Sequence, residues 1–341
     1  MAGQNEGLTL DFSKTQIDRL GERLKEGPLS EEDLRLLDEY RQSFGEAYET
    51  VFRMVSQVLQ EPMLGVEPTG RAAKSTSSII DKLRRESMRL TQMQDIAGCR
   101  AVVSNIQAQD WVVALLVRPR RKQSKAPILS DPSFSDPQNL ADPARKCEGL
   151  VEEWNDPAFP DATVIDRRAN PSYGYRAVHI IVKSAGKLVE IQIRSELQQL
   201  WAELSEKFSD VVGPSIKYGR GNELAQEFLA LMSEGVMDIE DHEKQLSKVP
   251  KTYNQMWRLF PSLSWYDVEE KLSLEWQNTN QLKEKFAAVL KEILKMVAEL
   301  ECQKEPAEAK IAVGRSLGIL LDIFPEWKKA LPEEKTKKRQ E

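Results

Sequence analysis

The sequence contains few of the residues that build disulfide or metal-centred folds. Its 341 residues include three cysteines and two histidines. Cys99, Cys147 and Cys302 are odd in number and far apart, and no pair has the CxxC spacing of a zinc site. This spacing excludes a disulfide framework as the basis of the fold, and two histidines are too few for a histidine-rich metal centre.

Long apolar runs are also absent. No segment approaches the length of a membrane span, and residues 1–10 lack both the basic region and the apolar region of a signal peptide. The sequence therefore predicts a cytoplasmic protein without membrane segments.

Acidic residues outnumber basic residues, 54 to 48, but positive charge is locally concentrated. The net charge is −6, with 40% apolar and 30% charged residues. This composition predicts a folded chain and argues against a surface that binds nucleic acid or membrane along its whole length. Basic residues cluster within 70–100 and 118–125, so any polyanionic ligand must bind at one of these patches.

Composition and chain breakers divide the sequence into four parts. We predict a helical region at 1–65, a catalytic domain at 66–221 with a loop insertion at about 118–160, a helical region at 222–332 and a charged tail at 333–341. Apolar residues at spacings of three and four after the cap at Ser30 predict one long helix, and a second is expected from about Ser75 to Leu90. The apolar runs at 98–103 and 111–117 are strands or buried segments that periodicity does not distinguish.

A β-hairpin is predicted from two alternating runs at 177–183 and 188–194. With a two-residue turn at Ala185 and Gly186, His179 lies opposite Gln192. The period of two places Glu190, Gln192 and Arg194 on one face, and the apolar residues between them on the other. Spacing alone favours a solvated polar face over a functional site.

Two further groups have the chemistry of a polyphosphate site. Lys74, Ser78 and Lys82 recur every four residues, which places two ammonium groups and a hydroxyl on one helical stripe. Asp95 follows at a predicted helix-to-strand transition, where a carboxylate can hold Mg²⁺ beside phosphates. The stripe by itself is equally typical of a solvated helix face.

Taken in order, these motifs resemble the synthetase domain of the RelA/SpoT alarmone synthetase family. The set comprises Lys74-x₃-Ser78-x₃-Lys82, Asp95-Ile-x-Gly-x-Arg100, Gly174-Tyr175-x₃-His179 and Glu190-Ile-Gln-Ile-Arg194. The resemblance covers roughly residues 50–220. Within the family, the chain resembles the small or toxic synthetases. The resemblance implies an α+β fold, a nucleotidyltransferase-like mixed β-sheet flanked by helices with helical N-terminal and C-terminal extensions. It also implies a Mg²⁺-dependent transfer of the β,γ-diphosphate of ATP to a ribose 3′-hydroxyl.

The resemblance also implies a role for each motif residue. Asp95 and Glu190 are the expected catalytic residues and Mg²⁺ ligands, with Glu190 activating the hydroxyl or sharing the metal. The expected ATP-binding residues are Arg71, Lys74, Ser78, Lys82 and Arg100. Tyr175 is expected to stack on the acceptor base, with His179, Gln192 and Arg194 steering the acceptor.

The sequence departs from the family pattern at three places. The Arg-x-Lys opening reads Ala72-Ala-Lys74, with Arg71 one position away. Pro171 replaces a lysine expected to bind the acceptor's phosphates, for which Arg167, Arg168 or Arg176 could compensate. The histidine that often follows the last motif is replaced within 200–207. These departures leave the identity of the acceptor substrate open.

Three functions are consistent with these observations. The first is synthesis of guanosine tetra- or pentaphosphate from GDP or GTP, and the second is a toxin-like modification of the tRNA 3′ end, towards which Pro171 and the basic 118–125 segment lean. The third is a non-catalytic nucleotide sensor, which has no need of two catalytic carboxylates. Hydrolase activity is not expected with two histidines.

The C-terminal region has an apolar stripe that some surface must cover. It consists of Leu282, Phe286, Val289, Ile293, Val297 and Leu300. Packing on the chain's own catalytic domain and binding of another molecule, in a homo-oligomer or with a neutralising partner, are equally compatible with it. The resemblance also implies that the residues beyond 221 could neutralise the enzyme within the same chain.

Overall fold

The computed structural model describes residues 12–60, 64–117, 158–259 and 265–303. These residues form two compact units. The first takes in the chain up to Ser104 together with Ala108–Ala169 and Ala177–Arg194, and the second takes in Asn105–Gln107, Asn170–Arg176 and the chain from Ser195 onward. Nearly all of the predicted loop insertion, with its basic 118–125 segment, and the charged tail at 333–341 lie outside the described residues.

Three helices begin the first unit: α1 (Lys14–Glu26), α2 (Glu31–Gln42) and α3 (Gly45–Leu59). The predicted cap is confirmed, because the Ser30 hydroxyl accepts the amide of Asp33 at 3.0 Å. The prediction of one long helix is wrong, since α2 ends at Gln42 and α3 starts again at Gly45. Both helices bury their apolar faces in the same core, so the spacing of three and four continues across the break and conceals it.

A five-stranded sheet forms the centre of the first unit. The strands are β1 (Thr69–Arg71), β2 (Ala97–Val103), β3 (Thr163–Asp166), β4 (Val178–Ser184) and β5 (Lys187–Ser195), in the order β1-β2-β5-β4-β3. Helix α3 packs on β2 and β4, and α4 (Thr76–Arg85) and α5 (Ile106–Val117) follow β1 and β2 in the chain. The predicted α+β class, a mixed sheet flanked by helices with helical regions on both sides, is confirmed.

The β4–β5 hairpin has the predicted register. His179 pairs with Gln192, and Ser184 with Lys187. Ala185 and Gly186 have φ of 44° and 73°, the positive values that a two-residue hairpin turn requires. Val189, Ile191 and Ile193 are fully buried, so the apolar face of β5 forms part of the core.

One other boundary differs from the sequence prediction, and one open assignment is decided. Helix α4 ends at Arg85 instead of about Leu90, and a short 3₁₀ turn covers Leu90–Gln92. The apolar run at 111–117, for which the sequence allowed either a strand or a buried segment, belongs to helix α5. Periodicity could not separate a buried helix from a strand over so short an apolar run.

Four helices dominate the second unit: α6 (Glu196–Val212), α7 (Glu223–Leu246), α8 (Val249–Leu259) and α9 (Trp265–Gln303). Phe286, Ile293 and Val297 of the predicted stripe are buried in one apolar cluster with α6 and α7. Leu282 and Val289 pack at its edge, and the side chain of Leu300 lies outside the described residues.

The described part of the stripe is therefore covered within the chain. Helix α6, one of its partners, lies inside the predicted 66–221 domain, so the compact units do not separate at residue 221. Removal of everything after Gly221 would uncover apolar side chains of α6, including Trp201 and Phe208. An autoinhibitory role for the later helices stays a prediction. Within the described residues, no helix is both long and apolar enough to cross a lipid bilayer.

Candidate active site

Asp95 lies between two lysines in the first unit. Its Oδ2 is 2.5 Å from the Nζ of Lys74, and its Oδ1 is 3.0 Å from the Nζ of Lys82. All three side chains are mostly shielded from solvent, with 13–19% exposed. Burial opposes ionisation of Asp95, but the two ammonium groups outweigh it and hold the pKa of the carboxyl below its usual value. Two cations and one anion thus share a site with a net positive charge.

Lys74 reaches this site from outside the helix, so the prediction that it shares a helical stripe with Ser78 and Lys82 is wrong. Helix α4 begins at Thr76, and the Lys74 amide donates to the carbonyl of Ile96 at 2.6 Å. The Arg41 guanidinium of α2 donates to the carbonyl of Lys74 at 2.6 Å. Lys74, before α4, and Lys82, within α4, nevertheless both contact Asp95.

Hydroxyl groups surround the first turn of α4. Ser75 caps the helix by accepting the amide of Ser78, and its hydroxyl donates to the Ser78 hydroxyl at 2.7 Å. The hydroxyl of Ser77 lies 3.3 Å from that of Ser75. A helix N-terminus beside two lysines favours a bound phosphate. The sequence signal for Ser75 and Ser77 is the unbroken hydroxyl run from Ser75 to Ser78, which a spacing of four residues does not reveal.

The polar face of the hairpin forms a connected row. Glu190 Oε1 lies 2.7 Å from His179 Nδ1, and Glu190 Oε2 accepts from Gln192 Nε2 at 2.7 Å. Gln192 Oε1 accepts in turn from Arg194 Nη2 at 2.9 Å. The side chains of His179 and Glu190 are only 11% and 14% exposed. The interpretation as a solvated sheet face is therefore wrong.

Glu190 is ionised despite this burial. Burial raises its pKa, but the interaction with His179 and the hydrogen bond from Gln192 outweigh it, so the pKa lies below the usual value. The charge of Asp95 acts in the opposite direction and raises it. The two predicted catalytic carboxylates are thus close enough to interact. The thiol of Cys99 is also affected, since burial and then the charge of Glu190 raise its pKa to about 12.

A glycine allows close approach of two strands, β2, which follows Asp95, and β5, which contains Glu190. A β-carbon at Gly98 would stand 2.7 Å from the carbonyl oxygen of Glu190, closer than side chains allow. β2 and β5 are neighbours in the sheet, and Asp95 lies just before β2. The predicted Asp95-Ile-x-Gly-x-Arg100 motif therefore contains the residue that permits this close approach.

The two predicted arginines lie on the adjoining strands. Arg71 of β1 pairs with Gly98 of β2, and Arg100 of β2 pairs with Thr69. Arg71 is exposed and Arg100 is half-buried. Both belong to the first unit, the unit that holds Asp95 and Glu190.

Tyr175 lies in the second unit. It is half-buried, and its ring packs at the edge of the apolar cluster of α6, α7 and α9. Tyr173 is much more open, with 63% of the residue exposed and a φ of 52°. A β-carbon at Gly219 would lie 2.5 Å from the Tyr173 ring, so this ring rests on a glycine. The sequence motifs include Tyr175 and do not include Tyr173.

Two of the three arginines that could replace the missing lysine at Pro171 are already engaged. Arg168 Nη1 and Nη2 each lie 2.6 Å from a carboxylate, those of Asp110 and Asp166. Arg176 is buried, and its Nε lies 3.5 Å from Glu240 Oε2. Pro171 itself is exposed.

Comparison with known proteins finds a family whose model matches the middle of the chain. Residues 70–209 match the region found in RelA / SpoT proteins. An uncharacterized protein of Mycobacterium bovis and two of Mycobacterium tuberculosis are each 30% identical over 183 residues, which cover 51% of this chain and 54% of theirs. The chain thus spans about half the length of the curated relatives it matches.

Two solved structures also match part of the chain. The small alarmone synthetase 1 from Bacillus subtilis is 20% identical, with 65% of this chain and 100% of that chain covered and a TM-score of 0.36. A GTP pyrophosphokinase family protein from Streptococcus pneumoniae is 18% identical, with 68% and 100% covered and a TM-score of 0.34.

Proposed function

We propose that this chain, in which residues 70–209 form a RelA/SpoT region, transfers the β,γ-diphosphate of ATP to a ribose 3′-hydroxyl. One observation supports this proposal above the others. An ionised carboxylate, Asp95, lies between Lys74 and Lys82 and interacts electrostatically with a second ionised carboxylate, Glu190. Diphosphate transfer requires cations for the phosphates, carboxylates for a metal and a base near the nucleophile.

The cations and hydroxyls suit the triphosphate of ATP. Lys74 and Lys82 offer two ammonium groups, and the start of α4 adds the hydroxyls of Ser75 and Ser78. Arg71 and Arg100 lie on the neighbouring strands. On ATP binding, the ammonium groups leave Asp95 for the phosphates, because these carry the larger negative charge. The pairing with Asp95 thus keeps both lysines in place before the substrate arrives.

The carboxylates fit Mg²⁺. Both are ionised, and Mg²⁺ in nucleotide sites uses one or two carboxylates together with substrate phosphates. Among the described residues no group of three or more histidine, cysteine, aspartate or glutamate side chains could hold a metal ion. When bound, Mg²⁺ neutralises charge on the diphosphate and on the leaving AMP.

Glu190 is the proposed base, because it is ionised and its carboxylate is held in place. The 3′-oxygen of the acceptor forms a bond to the β-phosphorus, the bond to the α,β-bridging oxygen breaks, and AMP leaves. The hydroxyl proton passes to Glu190, whose carboxylate His179 and Gln192 orient from either side. The non-catalytic sensor is less well supported, since nucleotide binding alone does not need a second buried carboxylate.

A guanine nucleotide, GDP or GTP, is the first candidate acceptor. In this role Tyr175 would stack on its base. His179, Gln192 and Arg194 would steer the acceptor. This assignment follows the RelA/SpoT motifs, all of which lie within the matched residues 70–209.

The tRNA 3′ end is the second candidate, and one observation favours it. The lysine expected to bind acceptor phosphates is Pro171, and two possible substitutes, Arg168 and Arg176, are held by carboxylates. The terminal adenosine of an RNA carries no 5′-polyphosphate, so it does not need these cations.

Acceptor competition distinguishes the two candidates. Purified protein is incubated with γ-labelled ATP and Mg²⁺, and GDP, GTP and deacylated tRNA are offered singly and then together. Label in a guanine nucleotide supports the first candidate, and label in tRNA supports the second. ATP binding without label transfer to any acceptor would support the sensor instead.

A further inference from the structure

The residues on both sides of Tyr175 contact one helix of the C-terminal region, α7. Tyr175 lies in a short segment, Asn170–Arg176, that belongs to the same compact unit as α6, α7 and α9. Two neighbours in sequence, Gly174 and Arg176, make contacts with α7. We propose that Ser233 and Glu240 of α7 are positioning residues, which hold Tyr175 in the place where it receives the acceptor. The acceptor role of Tyr175 rests on the proposed function.

The first attachment is at Gly174. Its carbonyl accepts a hydrogen bond from the Ser233 hydroxyl at 2.7 Å. A β-carbon at Gly174 would lie 2.7 Å from the Trp201 ring and 3.1 Å from the Ser233 side chain. Gly174 is therefore enclosed between α6 and α7, with a φ of 85° that favours glycine.

The second attachment is at Arg176. Its Nε lies 3.5 Å from Glu240 Oε2, and the two side chains are only 6% and 3% exposed. Burial raises the pKa of Glu240, and the hydrogen bond from Ser195 and the charge of Arg176 act against this effect. Each member of such a buried pair is costly without the other. Loss of either charge is thus expected to move the remaining group, and Arg176 is joined directly to Tyr175 by a peptide bond.

Glu240 also accepts two hydrogen bonds at the start of α6. Its Oε1 accepts from the Ser195 hydroxyl at 2.6 Å and from Gln198 Nε2 at 2.8 Å. Ser195 is the last residue of β5 and caps α6. One buried carboxylate therefore joins the Tyr175 segment, the start of α6 and α7.

Backbone geometry explains why such support is needed. Tyr173 and Gly174 have consecutive positive φ values of 52° and 85°. A tyrosine in this region is strained and persists only where the surroundings hold it. The hydrogen bond of Ser233 and the charge of Glu240 supply this restraint on either side of Tyr175.

The test compares the full-length wild-type protein with Glu240→Gln and Ser233→Ala. Glu234→Gln is the matched control, since Glu234 is an exposed residue on the same helix. Amide hydrogen exchange of the peptide covering residues 172–177 is measured first, because it reports the segment without any need for activity. Steady-state kinetics then give the KM for ATP and for whichever acceptor the wild-type protein uses.

We expect at least about fivefold faster exchange at 172–177 in both variants, with the KM for the acceptor raised and the KM for ATP unchanged. The control should match the wild type in every measurement. Unchanged exchange at 172–177, or a lower melting temperature with exchange raised equally across the second unit, would overturn the proposal. If Glu240→Gln does not fold, Ser233→Ala decides, as it removes one hydrogen bond and no charge. An inactive wild type would refute the proposed function, while the exchange data would still decide the positioning role.

Discussion

Gly98 lies directly against Glu190, so that a β-carbon at position 98 would stand 2.7 Å from the carbonyl oxygen of Glu190. Asp95 precedes β2, and Glu190 lies on β5, the neighbouring strand. The close approach of these backbones brings together the two carboxylates whose charges interact. The absence of a side chain at one position thus sets the geometry of the site.

The first prediction is that Gly98→Ala separates the strands. The added methyl group meets a backbone carbonyl that cannot rotate away, so we expect a loss of about 1–3 kcal/mol in the free energy of unfolding. Misplaced carboxylates should lower kcat by roughly tenfold to a hundredfold. Gly45→Ala is the control, since a β-carbon there meets nothing within 4 Å. Equal kcat in Gly98→Ala and wild type would contradict the geometric account.

The second prediction concerns the two carboxylates. Asp95→Asn and Glu190→Gln should each lower the rate of diphosphate transfer by roughly a hundredfold or more, because each removes a metal ligand or a base while keeping the side-chain shape. Asp81→Asn, on the exposed face of α4, should have no effect. Near wild-type turnover in either carboxylate variant, measured with the natural acceptor at saturation, would show that its assigned role is wrong.

The hairpin and the two carboxylates could be predicted because their signals are local. A period of two and a two-residue turn fix the register, which is why His179 opposite Gln192 followed from the sequence. Arg41 and Glu240 could not be found in this way. Each acts on a residue distant in the chain, Lys74 in one case and Arg176 in the other, and the surrounding sequence has no pattern that indicates the partner.

The third prediction distinguishes the two neighbouring tyrosines. Tyr175→Ala should raise the acceptor KM by roughly fivefold to a hundredfold and leave the ATP KM unchanged, since base stacking contributes about 1–3 kcal/mol. Tyr175→Phe should be mild because the ring is retained. Tyr173→Ala tests the more exposed ring. A large effect at Tyr173 with none at Tyr175 would transfer the stacking role to Tyr173.

The fourth prediction concerns stability at high pH. Burial, with a smaller contribution from Asp18, raises the pKa of Tyr40 from 10.0 to about 12. Between these values the tyrosine ionises in the unfolded chain but not in the folded one, so the free energy of unfolding falls as the pH rises. The expected loss is about 1.4 kcal/mol per pH unit.

Tyr40→Phe removes this dependence and is the natural comparison. Denaturant unfolding of both proteins at pH 9, 10 and 11 gives the difference directly. The wild type should lose stability relative to Tyr40→Phe above pH 10, and parallel curves would show that Tyr40 ionises normally in the folded protein.

The break between α2 and α3 and the start of α4 illustrate another limit of the sequence. Apolar periodicity reports which face is buried, and it continues through Ser43 and Phe44 because both helices pack on one core. A spacing of four likewise placed Lys74 on a helix that begins two residues later. The convergence of Lys74 and Lys82 on Asp95 depends on tertiary contacts that periodicity does not contain.

Product analysis tests the central claim most directly. The purified full-length chain is incubated with γ-labelled ATP, Mg²⁺ and each acceptor, and the products are separated and quantified, with Asp95→Asn as the inactive reference. Diphosphate transfer predicts AMP and labelled acceptor in equal amounts, with no ADP formed. Formation of ADP with a singly phosphorylated acceptor, or no labelled acceptor from a folded wild-type protein that binds ATP, would contradict the account.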